Sequence, residues 1–168
     1  KALKPGGMLG VVEHRAPESF NLQQMVDSGY VSQWYVIKLA KKAGFADPRL
    51  VEDRPITIDN KSIEAKVGHI GFYSATYRLF KIEGLEPFCE DYGQAVIYKG
   101  TVEHNPKDFL LDKHHLIPTE KVFPVCGNTY RMLNESRFKE HFEFIGNWDK
   151  HFGIYANCGT SIPFDKRS

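Results

Sequence analysis

Three cysteines, Cys89, Cys126 and Cys158, have the most chemistry to offer in this chain of 168 residues. A thiolate is a nucleophile, a soft metal ligand and half of a disulfide. No two of the three sit at the close paired spacing of a zinc motif, which argues against zinc. An odd, sparse set is not a disulfide framework, and it makes a reducing cytosol the expected compartment. The plainest expectation treats them as small apolar residues, one in a linker, one at a strand end and one near the C-terminus. The alternative is a set of thiols acting together, as a redox pair for instance.

The other reactive side chains offer less. His114 and His115 are adjacent, and in a strand they would point to opposite faces and not share one ion. His69, His104, His141 and His151 have no motif around them. Lys38, Lys41 and Lys42 form either a solvated helix face or an anion contact, and the solvated face is the expectation. Asn128 and Thr129 read as a turn and a helix cap.

These groups must be positioned by the elements around them, of which Phe72 to Lys81 is the central one. Aromatic and β-branched residues favour a strand there. Neither alternating face is cleanly polar, as expected of an inner strand covered on both sides. Tyr73 and Tyr77 share one face and are expected in the core. Before it, Met8 to Glu13 reads as a short strand and His14 to Gly29 as a mixed loop. A helix is expected from Ser32 to Ala43, with Val36, Leu39, Ala40 and Ala43 inward and Gly44 just past its end. Arg49 to Ile58 reads as a strand shortened by Pro55, and Asn60 to Val67 as a short helix. Gly84 to Asp91, with Gly84 and Pro87 among acids, resembles a linker, so a boundary is expected between 1–83 and 84–168. Beyond it, strands are expected over Gln94–Val102, Phe109–Leu116, Val122–Val125, Phe142–Ile145 and His151–Tyr155. A helix capped by Thr129 should run to about His141.

Composition narrows the function. A net charge of +1 supplies no broad field for nucleic acid or an anionic membrane. No apolar run is long enough to cross a bilayer. The opening Lys1-Ala-Leu-Lys-Pro-Gly-Gly7 looks like the end of a helix followed by a turn, as a fragment would begin.

The order helix end, Leu3-Lys-Pro-Gly-Gly7, strand, helix ending in Ala43-Gly-Phe45, strand, strand resembles the last third of class I S-adenosylmethionine methyltransferases. More specifically, five segments resemble arsenite methyltransferases, in order and at about their spacing. They are Asp47-Pro-Arg-Leu-Val51, Ile56-Thr-Ile-Asp-Asn60, Phe72 to Lys81, Gln94-Ala-Val-Ile-Tyr-Lys-Gly100 and Val125-Cys-Gly-Asn-Thr129. Glu135-Ser-Arg-Phe138 through Phe142 continues the match. The resemblance implies an α/β fold: the C-terminal part of a Rossmann-like sheet, followed by a small α+β domain. It implies methyl transfer from S-adenosylmethionine to trivalent arsenic, a small-molecule or metalloid acceptor, and no nucleic-acid or membrane partner. The donor site would lie mostly in earlier strands, so this chain alone is expected to bind no donor.

The resemblance also bears on site residues. His14, after a strand's carboxyl end, becomes a candidate substrate contact, against an ordinary polar loop residue. Cys89, Cys126 and Cys158 become candidate arsenic-contacting thiols, because soft centres prefer thiolates. The family's own arsenic-binding cysteines fall at Ile70 and near Val26, where this sequence has none. That leaves two further readings: another small-molecule acceptor, or a C-terminal domain serving binding or assembly.

Overall fold

A computed structural model of the chain describes residues 8–10, 33–67 and 73–158. His14, Val26, His69 and Ile70 lie outside the described residues, as do the opening turn and the loop expected over 14–29.

The first three strands form one antiparallel sheet. β1 (Met8–Gly10) and β2 (Arg49–Pro55) flank β3 (Tyr73–Phe80), which takes the middle as its sequence predicts. β2 stops at Pro55, which cannot donate to a ladder, and a register shift interrupts its pairing between Leu50 and Glu52. α1 (Gln33–Lys42) packs on this sheet. It ends as its glycine predicts: Gly44 has φ +90°, Phe45 N–H reaches Ala40 O at 2.9 Å and Gly44 N–H reaches Lys41 O at 3.0 Å. Its buried side differs from expectation. Ile37 and Ala40 face Phe45, Tyr77 and Leu79, while Leu39 and Ala43 are exposed. Aligning β3's Tyr77 and Leu79 with the helix selects the 37/40 stripe over the neighbouring one. Lys38, Lys41 and Lys42 are exposed, as a solvated face requires. α2 (Lys61–Val67) is opened by Asn60, whose Oδ1 accepts from Ser62 and Ile63 N–H at 3.0 and 3.2 Å.

β3 is covered on both faces. Tyr77 and Leu79 join the small core with α1, and Phe80 points the other way into a larger one. On that second face the Arg78 guanidinium donates to Leu110 O and Leu111 O, both at 2.7 Å, and stacks over Phe109 and Phe138.

The rest of the chain builds around β5 (Gln94–Tyr98), paired antiparallel to β8 (Val122–Val125) and β9 (Phe142–Ile145). β5 ends earlier than expected. Gly100 has φ +69°, and Tyr98 Oη donates to Asn105 O and accepts from Val102 N–H, which folds 99–105 into a loop. The strand expected over Phe109–Leu116 is instead a hairpin, β6 (Asp108–Asp112) and β7 (His115–Pro118). The reason is Asp112: its Oδ1 accepts the His114 N–H at 2.9 Å and turns the chain. α3 (Gly127–Asn134) stops well before His141, because the Ser136 hydroxyl takes the Phe138 N–H and a separate 3-10 turn forms over Lys139–His141. β4 (Glu90–Asp91) and β10 (Gly153–Ile154) form a short antiparallel ribbon, all that develops of the expected His151–Tyr155 strand.

The run Gly84 to Asp91 is packed. Leu85 is buried in the larger core and Glu86 is hydrogen-bonded through its backbone to Asn128. No helix among the described residues is long and apolar enough to cross a membrane.

Candidate thiol centre

Two short elements gather the cysteines. Tyr155 N–H donates to Cys89 O at 2.8 Å, extending the β4–β10 ribbon by one step past its end. Asn157, at φ +61°, then turns the chain so that Cys158 comes back beside Cys89. Cys126 arrives from elsewhere, between the end of β8 and the start of α3, whose N-cap it is. The three sulfurs lie within 4.8 Å of one another. The three small residues expected in a linker, at a strand end and near the C-terminus thus stand side by side in space. The Cys158 and Cys126 sulfurs, 32 residues apart in sequence, are 3.8 Å apart. All three thiols are free; Cys126 is buried, and Cys89 and Cys158 are half-buried.

Cys126 is held from several sides. Gly127 starts α3 where a Cβ would stand 3.0 Å from Trp148 and 3.1 Å from Tyr92, so those two rings pack closely over the helix start. They meet edge to face at 4.7 Å. Thr129 does not cap the helix: its hydroxyl lies 3.3 Å from Cys126 Sγ. Behind the sulfur sits Arg49, carried from the first sheet by β2. Its guanidinium donates to Asp112 Oδ2 at 3.0 Å, to Asp47 Oδ2 at 2.8 Å and to Cys126 Sγ at 3.9 Å. His115 Nδ1 donates to the other Asp112 oxygen at 2.7 Å. Asn128 Nδ2 donates to Asp47 Oδ2 at 3.1 Å and to Glu86 O at 2.9 Å, while its Oδ1 accepts Glu86 N–H at 2.7 Å. His115 is therefore bound to a carboxylate, and His114 sits in the turn before it; the pair does not occupy one strand as expected.

Electrostatics divides the three thiols. Hydrogen bonds from Cys158 and then Cys89 hold the Cys126 thiol well below its ordinary pKa, against the opposing effect of burial, and Arg49 and Thr129 add to the lowering. The helix N-terminus acts in the same sense. Donating to Cys126 pushes Cys158 up to about 12, and Cys89 is raised well above the ordinary thiol value, chiefly by its bond to Cys126. The cluster therefore carries one thiolate, solvated by two thiols. Asp112 is buried, which alone would raise its pKa, but His115 and Arg49 bring it down to about 2. Arg49 is desolvated too, and its two carboxylates more than offset this, so it stays cationic.

Chemically, three convergent sulfurs with one already ionised suit capture of a soft centre or formation of a disulfide. Of the residues singled out by sequence, Cys89, Cys126 and Cys158 are brought together, and His14 lies outside the described residues. Arg49, Asp47, Asp112 and His115 were not anticipated. Their one signal was that Asp47 and Arg49, like Cys126, fall inside segments that carry the family resemblance.

Comparison with known proteins bears on identity. Residues 92–162 match the family model of the arsenite methyltransferase C-terminal domain. Arsenite methyltransferase of Aquipseudomonas alcaligenes is 57% identical over 130 residues, covering 77% of this chain and 38% of that protein. Human arsenite methyltransferase is 37% identical over 106 residues, 62% of this chain and 27% of that protein. The crystal structure of an arsenic(III) S-adenosylmethionine methyltransferase from Chlamydomonas reinhardtii superposes with TM-score 0.75 at 38% identity, over 90% of this chain and 53% of that one. The match thus spans well under half the length of the bacterial and human relatives and about half of the algal protein's chain. Residues 92–162 thus match the arsenite methyltransferase C-terminal domain, and the chain is similar to arsenite methyltransferases over most of its length.

Proposed function

We propose that the protein carrying this chain is an S-adenosylmethionine-dependent methyltransferase whose acceptor is trivalent arsenic. The observation that carries this reading is the structural match over 90% of the chain to an arsenic(III) methyltransferase. The 57% identity to a bacterial arsenite methyltransferase supports it. So does the three-thiol cluster, a soft ligand set suited to a soft acceptor.

The division of labour follows the same reading. Residues 1–83 would be the end of a Rossmann-like donor-binding sheet, with β3 antiparallel between β1 and β2. Residues 84–168 would be the added C-terminal domain. Among the described residues no glycine-rich turn leads from a strand to a helix N-terminus, so none is assigned to the donor. The bound donor would supply the methyl group on its sulfonium. This chain's share is to hold thiols near one another on a fixed helix start and to present them at a half-open surface.

A second reading, another small-molecule acceptor, is favoured by one observation: Ile70 and the neighbourhood of Val26 carry no cysteine where the resemblance places arsenic ligands. The experiment separating the two is methylation by the whole protein with arsenite and S-adenosylmethionine, followed by speciation of methylated arsenic. Mono- or dimethylated product supports the first reading. No product, with the donor bound, overturns it in favour of the second.

A further inference from the structure

We propose that Cys89, Cys126 and Cys158 form a three-thiolate binding site for one trivalent arsenic in this C-terminal region. The identity of the ion rests on the acceptor proposed above; the existence of a site for a thiophilic ion rests on geometry alone.

Bond lengths set the geometry. A centre bonded to sulfur at about 2.3 Å holds its sulfurs roughly 3.4–3.8 Å apart at pyramidal to tetrahedral angles. Cys126 and Cys158 already stand at 3.8 Å, and the whole trio lies within 4.8 Å. Small side-chain rotations of Cys89 and Cys158, both half-buried, would complete the triangle. Cys126 is the fixed corner, because Thr129, Arg49 and the crowded start of α3 surround it.

Ligand number points to the ion. A structural zinc site takes four ligands in a closed tetrahedron. Among the described residues the convergent group has three cysteines and no fourth histidine, cysteine or carboxylate. Trivalent arsenic takes three sulfurs and keeps a lone pair in place of a fourth ligand. Charge agrees. Arsenic(III) with three thiolates is neutral, whereas zinc(II) with three carries a negative charge. The adjacent Arg49 already faces two carboxylates, Asp47 and Asp112, besides the Cys126 sulfur, so an anionic metal complex gains no further neutralisation from it. The cost of burying unpaired charge therefore favours the neutral complex.

The binding step balances without redox change. Arsenous acid exchanges three As–O bonds for three As–S bonds. The two thiol protons, with one more proton taken from solvent because Cys126 is already ionised, leave with the three hydroxides as three waters. No external oxidant or reductant is needed.

The test is titration of the full 168-residue chain with arsenite, with a phosphine keeping the thiols reduced. Ultraviolet sulfur-to-arsenic charge transfer and intact mass are the readouts. The expected result is one arsenic per chain, a mass gain of one arsenic less three hydrogens, and loss of all three titratable thiols. Cys89→Ser and Cys158→Ser, both at half-buried positions, should each keep the fold by circular dichroism and weaken binding by about tenfold or more. Wild-type affinity in either folded variant overturns the three-thiol site, as does no arsenic uptake by the folded wild-type chain. Tight zinc binding that excludes arsenite overturns the choice of ion. Methylation by the whole protein is scored separately: product without arsenic at this trio sinks the proposal alone, and arsenic at the trio without product sinks only the methyltransferase reading.

Discussion

Asn128 clasps Glu86 by the backbone, accepting its N–H at 2.7 Å and donating to its carbonyl at 2.9 Å. The same amide reaches Asp47. One side chain thus fastens the 84–91 run to α3 and to the segment leading into β2.

Replacing Asn128 with Ala should leave two backbone groups and a carboxylate short of partners. A loss of about 1–3 kcal/mol is expected, the penalty for unsatisfied, partly buried polar groups. Asn128→Asp should also destabilise, since it removes the donor and sets a carboxylate against Glu86 O and Asp47. Urea unfolding midpoints at constant slope are the measurement; an unchanged midpoint for both variants would refute the clasp.

Arg49 supports two carboxylates at once. Arg49→Met should cost about 3–5 kcal/mol, because Asp112 is left buried and charged. Adding Asp112→Asn should restore a large part of it. A double-mutant cycle read by chemical denaturation tests this; additive losses would show that the pair is not coupled.

Asp112 sets an acid limb. Its carboxyl is held at about 2, below its value in an unfolded chain. The stability it contributes is present in full above the unfolded value near 4 and is lost as pH falls through about 2, roughly 2 kcal/mol in all. Asp112→Asn should flatten unfolding free energy against pH in that window and leave the slope above pH 5 unchanged.

The shared thiolate depends on its donors. Cys158→Ala removes the strongest hydrogen bond that lowers Cys126, so the Cys126 pKa should rise. Thiolate absorbance followed against pH should show one ionised cysteine per wild-type chain at neutral pH. The Cys158→Ala chain should ionise at visibly higher pH. Identical titrations would contradict the assigned cause.

Much of the fold was legible because it is local or periodic. The central β3, the glycine that ends α1, the Pro55 stop and β8 and β9 all announce themselves in a few neighbouring residues. The misreadings occur where one side chain redirects the backbone. Asp112 breaks an apolar run into a hairpin, Tyr98 and Gly100 curtail β5, and Ser136 ends α3 early. The thiol centre was hidden for another reason. Its closure depends on a ribbon of two residues per strand, too short for any periodic signal, and on a helix cap supplied from a distant strand end. Arg49 looked like an ordinary strand residue, since nothing local tells that its partners are 63 and 77 positions away.

The Arg49 junction also restricts how such a sequence can drift. A lineage that loses the guanidinium strands two carboxylates, and one that loses either carboxylate leaves the buried guanidinium one hydrogen-bond acceptor short. Viable routes must therefore pass through paired or triple replacements at 47, 49 and 112. Across descendants, those three positions should change in concert or not at all.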